Sequence, residues 1–310
     1  MSQNKIMLTD EQMANFTAKG YLVLDSIIPE ESNKQFVNDI GHTTNEPVDS
    51  VHDHYSRIMQ KSTIPVVKAG TPLKNSYKKG SALEKIINNP TVSGAIDSLV
   101  GLDCVLDHHF LHITFPSKYY DGSKRRKMSQ GNHQDSTINV NKSFDIQLFY
   151  FPHEVTKEMG GTRYIPGSHF RVVSEFAIAR YQNVKGQQHV VCPAGTIIIM
   201  HMNIWHGAGV NNSDKIRYAF KIRLMPTKKQ ELLWTDKIMY EDQKSDAIYW
   251  TDGNRKLNNI GTILNQTEPW FENDSGRLDI INRIKFWRYI SGDNNFDTKY
   301  WLTRLENDFQ

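Results

Sequence analysis

Gly131-Asn132-His133-Gln134-Asp135 is the stretch on which the reading of this chain turns. On a strand, residues i and i+2 project from one face, so His133 and Asp135 can hold one metal ion between them. No other His-x-Asp or His-x-Glu triplet occurs in the sequence. A third ligand must come from elsewhere, and His206 in Trp205-His206-Gly207-Ala208-Gly209 is the best candidate, because it follows directly on an apolar strand pattern, Thr196 to Met200.

Two histidines and one carboxylate on one face of an octahedron leave three positions open. That is the ligand set of non-haem iron(II) oxygenases, in which an acid cosubstrate and dioxygen both need places on the metal. The chain around the triplet suits such a site. From about Cys104 it breaks into short strand patterns, Val105 to Phe115, Ile146 to Phe151, His189 to Cys192, Thr196 to Met200 and Ile216 to Leu224. Gly, Pro, Asn and Ser separate them, which predicts a sandwich or barrel rather than βαβ units. Upstream, Thr9-Asp10-Glu11-Gln12 has the form of a capping box, so a helix starts at Thr9, ends at Gly20 and leads into a strand, Tyr21 to Leu24. Residues 30 to 100 read as helices and loops. Downstream, Leu278, Ile281, Ile284 and Trp287 fall at helical spacing, as do Trp301, Leu305 and Phe309. The expected organisation is an oxygenase-type domain over 1–235, with N-terminal helices and a jelly-roll core. A helical extension over 236–310 then packs on that core or on a partner.

Composition narrows the classes of function. With 310 residues, 38% hydrophobic and 23% charged, the chain reads as an ordinary soluble globular protein. A formal net charge of +3 gives no reason to expect nucleic acid. The two cysteines, Cys104 and Cys192, form no CxxC pair, which fits a reducing compartment. The N-terminus has no apolar signal core and no run of eighteen apolar residues occurs, so the expectation is a cytoplasmic protein that does not enter a membrane.

Arg217 lies eleven residues after His206, in Ile216-Arg217-Tyr218-Ala219-Phe220-Lys221-Ile222. Ile216, Tyr218, Phe220 and Ile222 share one face and Arg217 points the other way, where a guanidinium can grip a carboxylate with two hydrogen bonds. Lys221 and Arg223 share that face, so a solvent-facing edge strand would read in the same way.

With these features placed, the sequence resembles the phytanoyl-CoA dioxygenase family of iron(II)- and 2-oxoglutarate-dependent oxygenases, from about Leu8 to about Pro226. Leu8 to Gln12 with Gly20 to Leu24 is similar to the family's opening helix and strand, and His133-Gln134-Asp135 to its metal-binding triplet. Gly160-Gly161-Thr162-Arg163-Tyr164-Ile165-Pro166-Gly167-Ser168-His169 is similar to its Gly-Thr and Pro-Gly-Ser-His stretch. Trp205-His206-Gly207, Asn211-Asn212-Ser213 and Arg217 resemble its distal histidine and 2-oxoglutarate arginine.

The resemblance implies a mainly β fold with flanking helices, a double-stranded β-helix (a jelly roll, or cupin-like barrel). It implies iron(II) on His133, Asp135 and His206, with Arg217 on the distal carboxylate of 2-oxoglutarate and Gln134 near cosubstrate or substrate. The matching stretch adds Thr162 to the cosubstrate side, without giving it or Ser168 a particular contact, and makes His169 a structural residue of a turn. The implied reaction couples oxidative decarboxylation of 2-oxoglutarate by O2, to succinate and carbon dioxide, to hydroxylation, desaturation or ring closure of a small molecule. Halogenating relatives need a small residue in place of the carboxylate, so Asp135 disfavours halogenation. Coenzyme A esters, amino acids and secondary-metabolite intermediates stay open as substrates. Two other functions use the same residues differently. One is a jelly-roll isomerase or hydrolase that needs the metal but no 2-oxoglutarate, against which Arg217 speaks. The other is a non-catalytic β-sandwich binding protein, which gives no reason for an intact triad.

Three further groups carry weaker expectations. His52-Asp53-His54 is a second possible metal cluster if it lies on a strand, and otherwise a loop that shapes the mouth of a site. His108, His109 and His112 fall on a predicted strand. His108 and His112 share a face with Phe110, so one of them lines the cavity or both are merely hydrogen-bonded. Lys124-Arg125-Arg126-Lys127 is either a solvated loop or, through Arg126, a device that draws an anionic substrate to the barrel mouth.

Overall fold

The structure is a computed structural model that describes residues 4–42, 50–120, 130–135, 144–171, 183–228, 230–235, 273–293 and 296. Lys124 to Lys127 and the tail positions Trp301, Leu305 and Phe309 lie outside these residues.

Two antiparallel sheets face each other. The larger is built from β1 (Tyr21–Leu24), β2 (Thr71–Pro72), β3 (Val105–Thr114), β5 (Ile146–Phe151), β8 (Thr196–His201) and β10 (Arg217–Met225), in the order β1-β8-β5-β10-β3-β2. The smaller is built from β4 (Gln130–His133), β6 (Thr162–Tyr164), β7 (Gln188–His189) and β9 (His206–Ala208), in the order β4-β9-β6-β7. This is the mainly β, cupin-like fold that the sequence led us to expect. The region between 30 and 100 is helical as read: α2 (Glu30–Asp39), α3 (Val51–Lys61), α4 (Ala82–Ile87) and α5 (Pro90–Val100).

Alternation along the central strands separates the two sides of the large sheet. Ile146, Leu148 and Tyr150 of β5, and Ile197 and Ile199 of β8, join the core beneath the helices. Phe149, Phe151, Ile198 and Met200 point the other way, into the space between the sheets. Both faces are covered, so these strands carry near-continuous apolar runs instead of an apolar and polar alternation. β10 obeys the same period. Tyr218, Phe220, Ile222 and Leu224 enter the helical-side core and Ala219 the inter-sheet cluster. β10 pairs with β5 on one side and β3 on the other, so Arg217 does not sit on an edge strand.

The N-terminal helix α1 (Asp10–Lys19) starts at the expected capping box. The Gln12 N–H donates to Thr9 Oγ1 at 3.3 Å and the Thr9 N–H to Gln12 Oε1 at 3.0 Å. Gly20 ends it at φ 78°, and a Cβ there would lie 2.6 Å from His169 Nδ1, so only glycine suits the position. In the tail, α6 (Asn273–Ser291) carries the predicted helical pattern, with Ile284, Phe286, Trp287, Tyr289 and Ile290 buried. Its Phe286 meets Phe16 of α1 and Phe144, and Trp287 meets Trp234.

His52-Asp53-His54 lies neither on a strand nor in a loop, but in the first turn of α3. Ser50 caps that helix, its Oγ accepting from the Asp53 N–H at 3.1 Å. His52 faces outward, and His54 is buried with its Nε2 2.8 Å from the Tyr218 hydroxyl.

Candidate metal centre

β4 and β9 lie side by side at the mouth of the smaller sheet, with His133 directly opposite His206 and their ring centroids 4.4 Å apart. Gly207 permits this closeness, since a Cβ there would come within 2.6 Å of the Gln130 carbonyl oxygen. The turn Ser168–Phe170 braces the strand from behind. Ser168 Oγ accepts from the Trp205 N–H at 2.8 Å and donates to the Ile165 carbonyl at 2.6 Å. The Pro-Gly-Ser-His stretch thus serves the metal site at one remove, by setting the strand that presents His206. His169, in the same turn, is buried with Nε2 2.9 Å from the Thr17 carbonyl, in the structural role expected of it.

The ring orientations are fixed by backbone. His133 Nδ1 is 2.9 Å from the Gly131 carbonyl and His206 Nδ1 is 3.0 Å from the Ile204 carbonyl. A carbonyl can only accept, so both Nδ1 atoms carry the proton and both Nε2 lone pairs remain for a metal. Those Nε2 atoms lie 3.3 Å (His133) and 3.9 Å (His206) from Asp135 Oδ1. One donor atom from each of the three residues lies within 4.8 Å of the others, and no other such group occurs among the described residues. Burial would raise the Asp135 carboxyl, but the imidazoles of His133 and His206 and the Lys221 ammonium beside it hold it far below the usual carboxylate range, so it is ionised. Burial, aided by the neighbouring His133, pushes His206 down to about 4, so it is neutral near pH 7, as a ligand must be. The donor set therefore fits a divalent first-row metal, because two imidazole nitrogens and an ionised carboxylate oxygen converge on one point. Although burial lowers His133, its contacts with Asp135 and the Gly131 carbonyl hold it above its ordinary range, so any proton there leaves when a metal binds.

These residues open on a cavity of about 80 Å³. Arg217 lines it and is 3% exposed. Its Nη2 donates to Thr114 Oγ1 at 2.8 Å, while Nε and Nη1 are buried with no partner among the described residues. Burial lowers the guanidinium to about 10, which still leaves it charged near neutrality. A buried cation with two unspent donors costs stability unless an anion meets it.

The other residues singled out in the sequence fall on both sides of the cavity wall. Thr162 and His112 line it, and burial pushes His112 down to about 4. Gln134 does not line it. It is turned beneath the triad, its amide donating to the Asn203 carbonyl at 2.5 Å. His108 lies away from the cavity with Nδ1 2.6 Å from Asp107 Oδ2. Arg126 is outside the described residues. Two residues were missed. Thr114 orients Arg217, and Lys221, 8% exposed, reaches Asp135 Oδ2 at 3.0 Å. The signal for Lys221 was present: on a period-two strand it must share the fate of Arg217.

A double-stranded β-helix holding two histidines, a carboxylate and a buried arginine on one cavity defines a class, the non-haem iron(II)- and 2-oxoglutarate-dependent oxygenases. Within that class the chain belongs to the phytanoyl-CoA dioxygenase (PhyH) family, whose sequence model matches residues 16–219. Its cofactors are iron(II), 2-oxoglutarate as cosubstrate and O2. Family membership sets aside both the metal-dependent isomerase or hydrolase and the non-catalytic binding protein. Comparison with curated protein sequences gives no match. Among solved structures, the chain is similar in fold to the apo non-haem monooxygenase ThoJ (TM-score 0.50, 19% identity, 72% of this chain and 81% of that one). It also aligns with HygX from Streptomyces hygroscopicus with nickel and 2-oxoglutarate bound (0.49, 12%, 73% and 91%). A third alignment is with the α-ketoglutarate-dependent carbocyclase SnoK from nogalamycin biosynthesis (0.46, 17%, 71% and 84%). Among the described residues no helix is long and apolar enough to cross a membrane.

Proposed function

We propose that this oxygenase oxidises an unactivated C–H bond of a small anionic molecule, by hydroxylation or by desaturation or oxidative cyclisation, and releases succinate and CO2. The observation that carries the reading is the buried, half-paired Arg217 on the same cavity as the triad. His133 Nε2, Asp135 Oδ1 and His206 Nε2 hold the iron. Arg217, oriented by Thr114, takes the distal carboxylate of 2-oxoglutarate, and Thr162 and His112 complete the wall around it. Bound there, iron(II) supplies the open positions on which 2-oxoglutarate and O2 react. For hydroxylation the balance is one C–H substrate, one 2-oxoglutarate and one O2 in, and one alcohol, one succinate and one CO2 out.

Fixed charge supports an anionic substrate. Arg217 and Lys221 face Asp135 on the cavity, leaving one positive charge, and iron(II) with the 2-oxoglutarate dianion adds none. The Lys124-Arg125-Arg126-Lys127 run adds more positive charge close to His133 in the chain, with Arg126 as the substrate-side residue. Neutralising all four should raise the substrate's KM at saturating 2-oxoglutarate and flatten its salt dependence, since such steering is screened over about 8–10 Å. The decisive test of the whole reading is anaerobic. Protein with iron(II) should develop a weak visible charge-transfer band only when 2-oxoglutarate is added, and should form succinate on admission of O2. A chain that binds iron(II) but neither shows the band nor binds 2-oxoglutarate by calorimetry does not have this function.

A further inference from the structure

Lys221 sits where a lysine is costly. Its side chain is 10% exposed, on the inner face of β10. The ladder fixes it from both sides, opposite Phe110 of β3 and Phe149 of β5. It lies beyond the segment matched by the family, so family membership assigns it no role. Burying an ammonium is unfavourable without a partner, and the partner here is one particular oxygen. Lys221 Nζ stands 3.0 Å from Asp135 Oδ2. The other oxygen, Oδ1, is the one that faces His133 Nε2 and His206 Nε2. The two oxygens of a single carboxylate are thus divided between two tasks.

That division matters for a ligand of this kind. A carboxylate can bind a metal through one oxygen or through both, and a second bond would take one of the three positions the two-histidine, one-carboxylate set leaves open. A 2-oxoglutarate chelate and O2 need all three. We propose that Lys221 is a positioning residue: by holding Oδ2 in a charge-assisted hydrogen bond it confines Asp135 to one metal bond through Oδ1 and keeps the third position free. This assignment rests on the oxygenase reading above. It is not the behaviour of a solvated strand lysine, because the side chain is enclosed and the sheet on either side keeps it from swinging out.

The test compares wild type with Lys221→Met, which keeps the length and loses the donor. Lys221→Gln keeps a donor without the charge, and Lys221→Arg keeps both. Crystals loaded with cobalt(II) should show Asp135 bound through Oδ1 alone in wild type and through both oxygens in Lys221→Met. By calorimetry on cobalt-loaded protein, Lys221→Met should bind 2-oxoglutarate at least tenfold more weakly than wild type while its cobalt(II) affinity stays within about threefold. Lys221→Arg should recover most of the loss and Lys221→Gln part of it. The Gln and Arg variants decide the question if Lys221→Met fails to fold. Asp135 bound through both oxygens in wild type overturns the assignment, as does 2-oxoglutarate affinity unchanged in every variant. Wild type that takes up cobalt(II) but binds no 2-oxoglutarate sinks the oxygenase reading and this assignment with it, whereas tight binding by wild type and Lys221→Met alike sinks the assignment alone.

Discussion

Strand β10 separates two histidine clusters that look alike in composition and differ in what they leave unpaired. On its inner face His133 and His206 turn their Nε2 atoms toward Asp135 Oδ1, and His112 Nε2 is buried without a partner among the described residues. On its outer side His42, His54 and His153 gather around Tyr218. The tyrosine hydroxyl lies 2.8 Å from His54 Nε2 and 2.8 Å from His42 Nδ1, and the Tyr218 N–H donates to His153 Nε2 at 2.8 Å. A hydroxyl donates one proton and accepts another, so that cluster satisfies itself. The inner one does not, and it contains the carboxylate that neutral imidazoles need in order to hold an iron(II). Clustered histidines are therefore a poor sign of a metal site. Converging lone pairs beside an ionised carboxylate are a good one.

The sharpest way to break this contrast is to remove one member from each cluster. Asp135→Ala and His206→Ala should each abolish succinate formation while the far-ultraviolet circular dichroism stays that of wild type, because neither side chain fills the apolar core. Detectable turnover in either would mean the metal is held elsewhere. Arg217→Ala should come next. Loss of a buried charge-assisted pair costs on the order of 2–5 kcal/mol, so calorimetry should show 2-oxoglutarate affinity falling by a factor of thirty or more with iron(II) affinity little changed. Equal affinity would pass the role to another cation. Arg223 is not well placed for it, since it is already engaged with Asp145 at 2.9 Å and lies 3.5 Å from Asp107. On the outer side, Tyr218→Phe strands the buried His54 Nε2 and removes the hydroxyl beside the half-buried His42, and should cost about 1–3 kcal/mol of stability in chemical denaturation. Its affinity for 2-oxoglutarate should match wild type. A change there would mean that the two sides of β10 are coupled.

How much of this was legible before the structure depended on how local each signal is. The triad was legible because His133 and Asp135 are two residues apart and the ligand chemistry restricts residue types. Arg217 was legible because it opens a strand whose apolar face is unambiguous. The strands β4, β6 and β9 were not, since three or four residues carry too little periodicity, and Gly131, Gly207 and Asn132 dilute what there is. Lys221 was misjudged for a different reason. A lysine at a polar position of an alternating strand reads as solvent-facing unless the strand is known to have both faces covered, and that follows from β10 lying between β3 and β5, which is a tertiary fact. The place of His52-Asp53-His54 in the first turn of α3 was missed although Ser50 with Asp53 is a capping pair, because the three residues invited a metal reading first.

The smallest expected effect is a difference in acid sensitivity traceable to His54. Burial, with lesser contributions from His42 and Arg57, pushes this imidazole down to about 4 from its ordinary 6.5. In the unfolded chain His54 takes up a proton as the pH falls through 6.5, whereas in the folded protein it resists until about 4. Protons therefore bind more to the unfolded state across that window, and folding stability must fall as pH drops from 6.5 toward 4. The contribution is fully present above pH 6.5. His201, buried and pushed down to about 3, adds a slope of the same sign, as do His112 and His206, so the wild-type curve alone cannot be ascribed to one residue. The useful quantity is the difference between wild type and His54→Gln, in which an amide takes the place of the imidazole beside the Tyr218 hydroxyl and nothing titrates. Plotted as Tm against pH from 8 to 4, the variant should lose less than wild type between about 6.5 and 4, with the two curves parallel above pH 7. Parallel curves throughout would mean that His54 is as free to protonate in the folded protein as in the unfolded chain. The self-satisfied cluster described here would then be open to water.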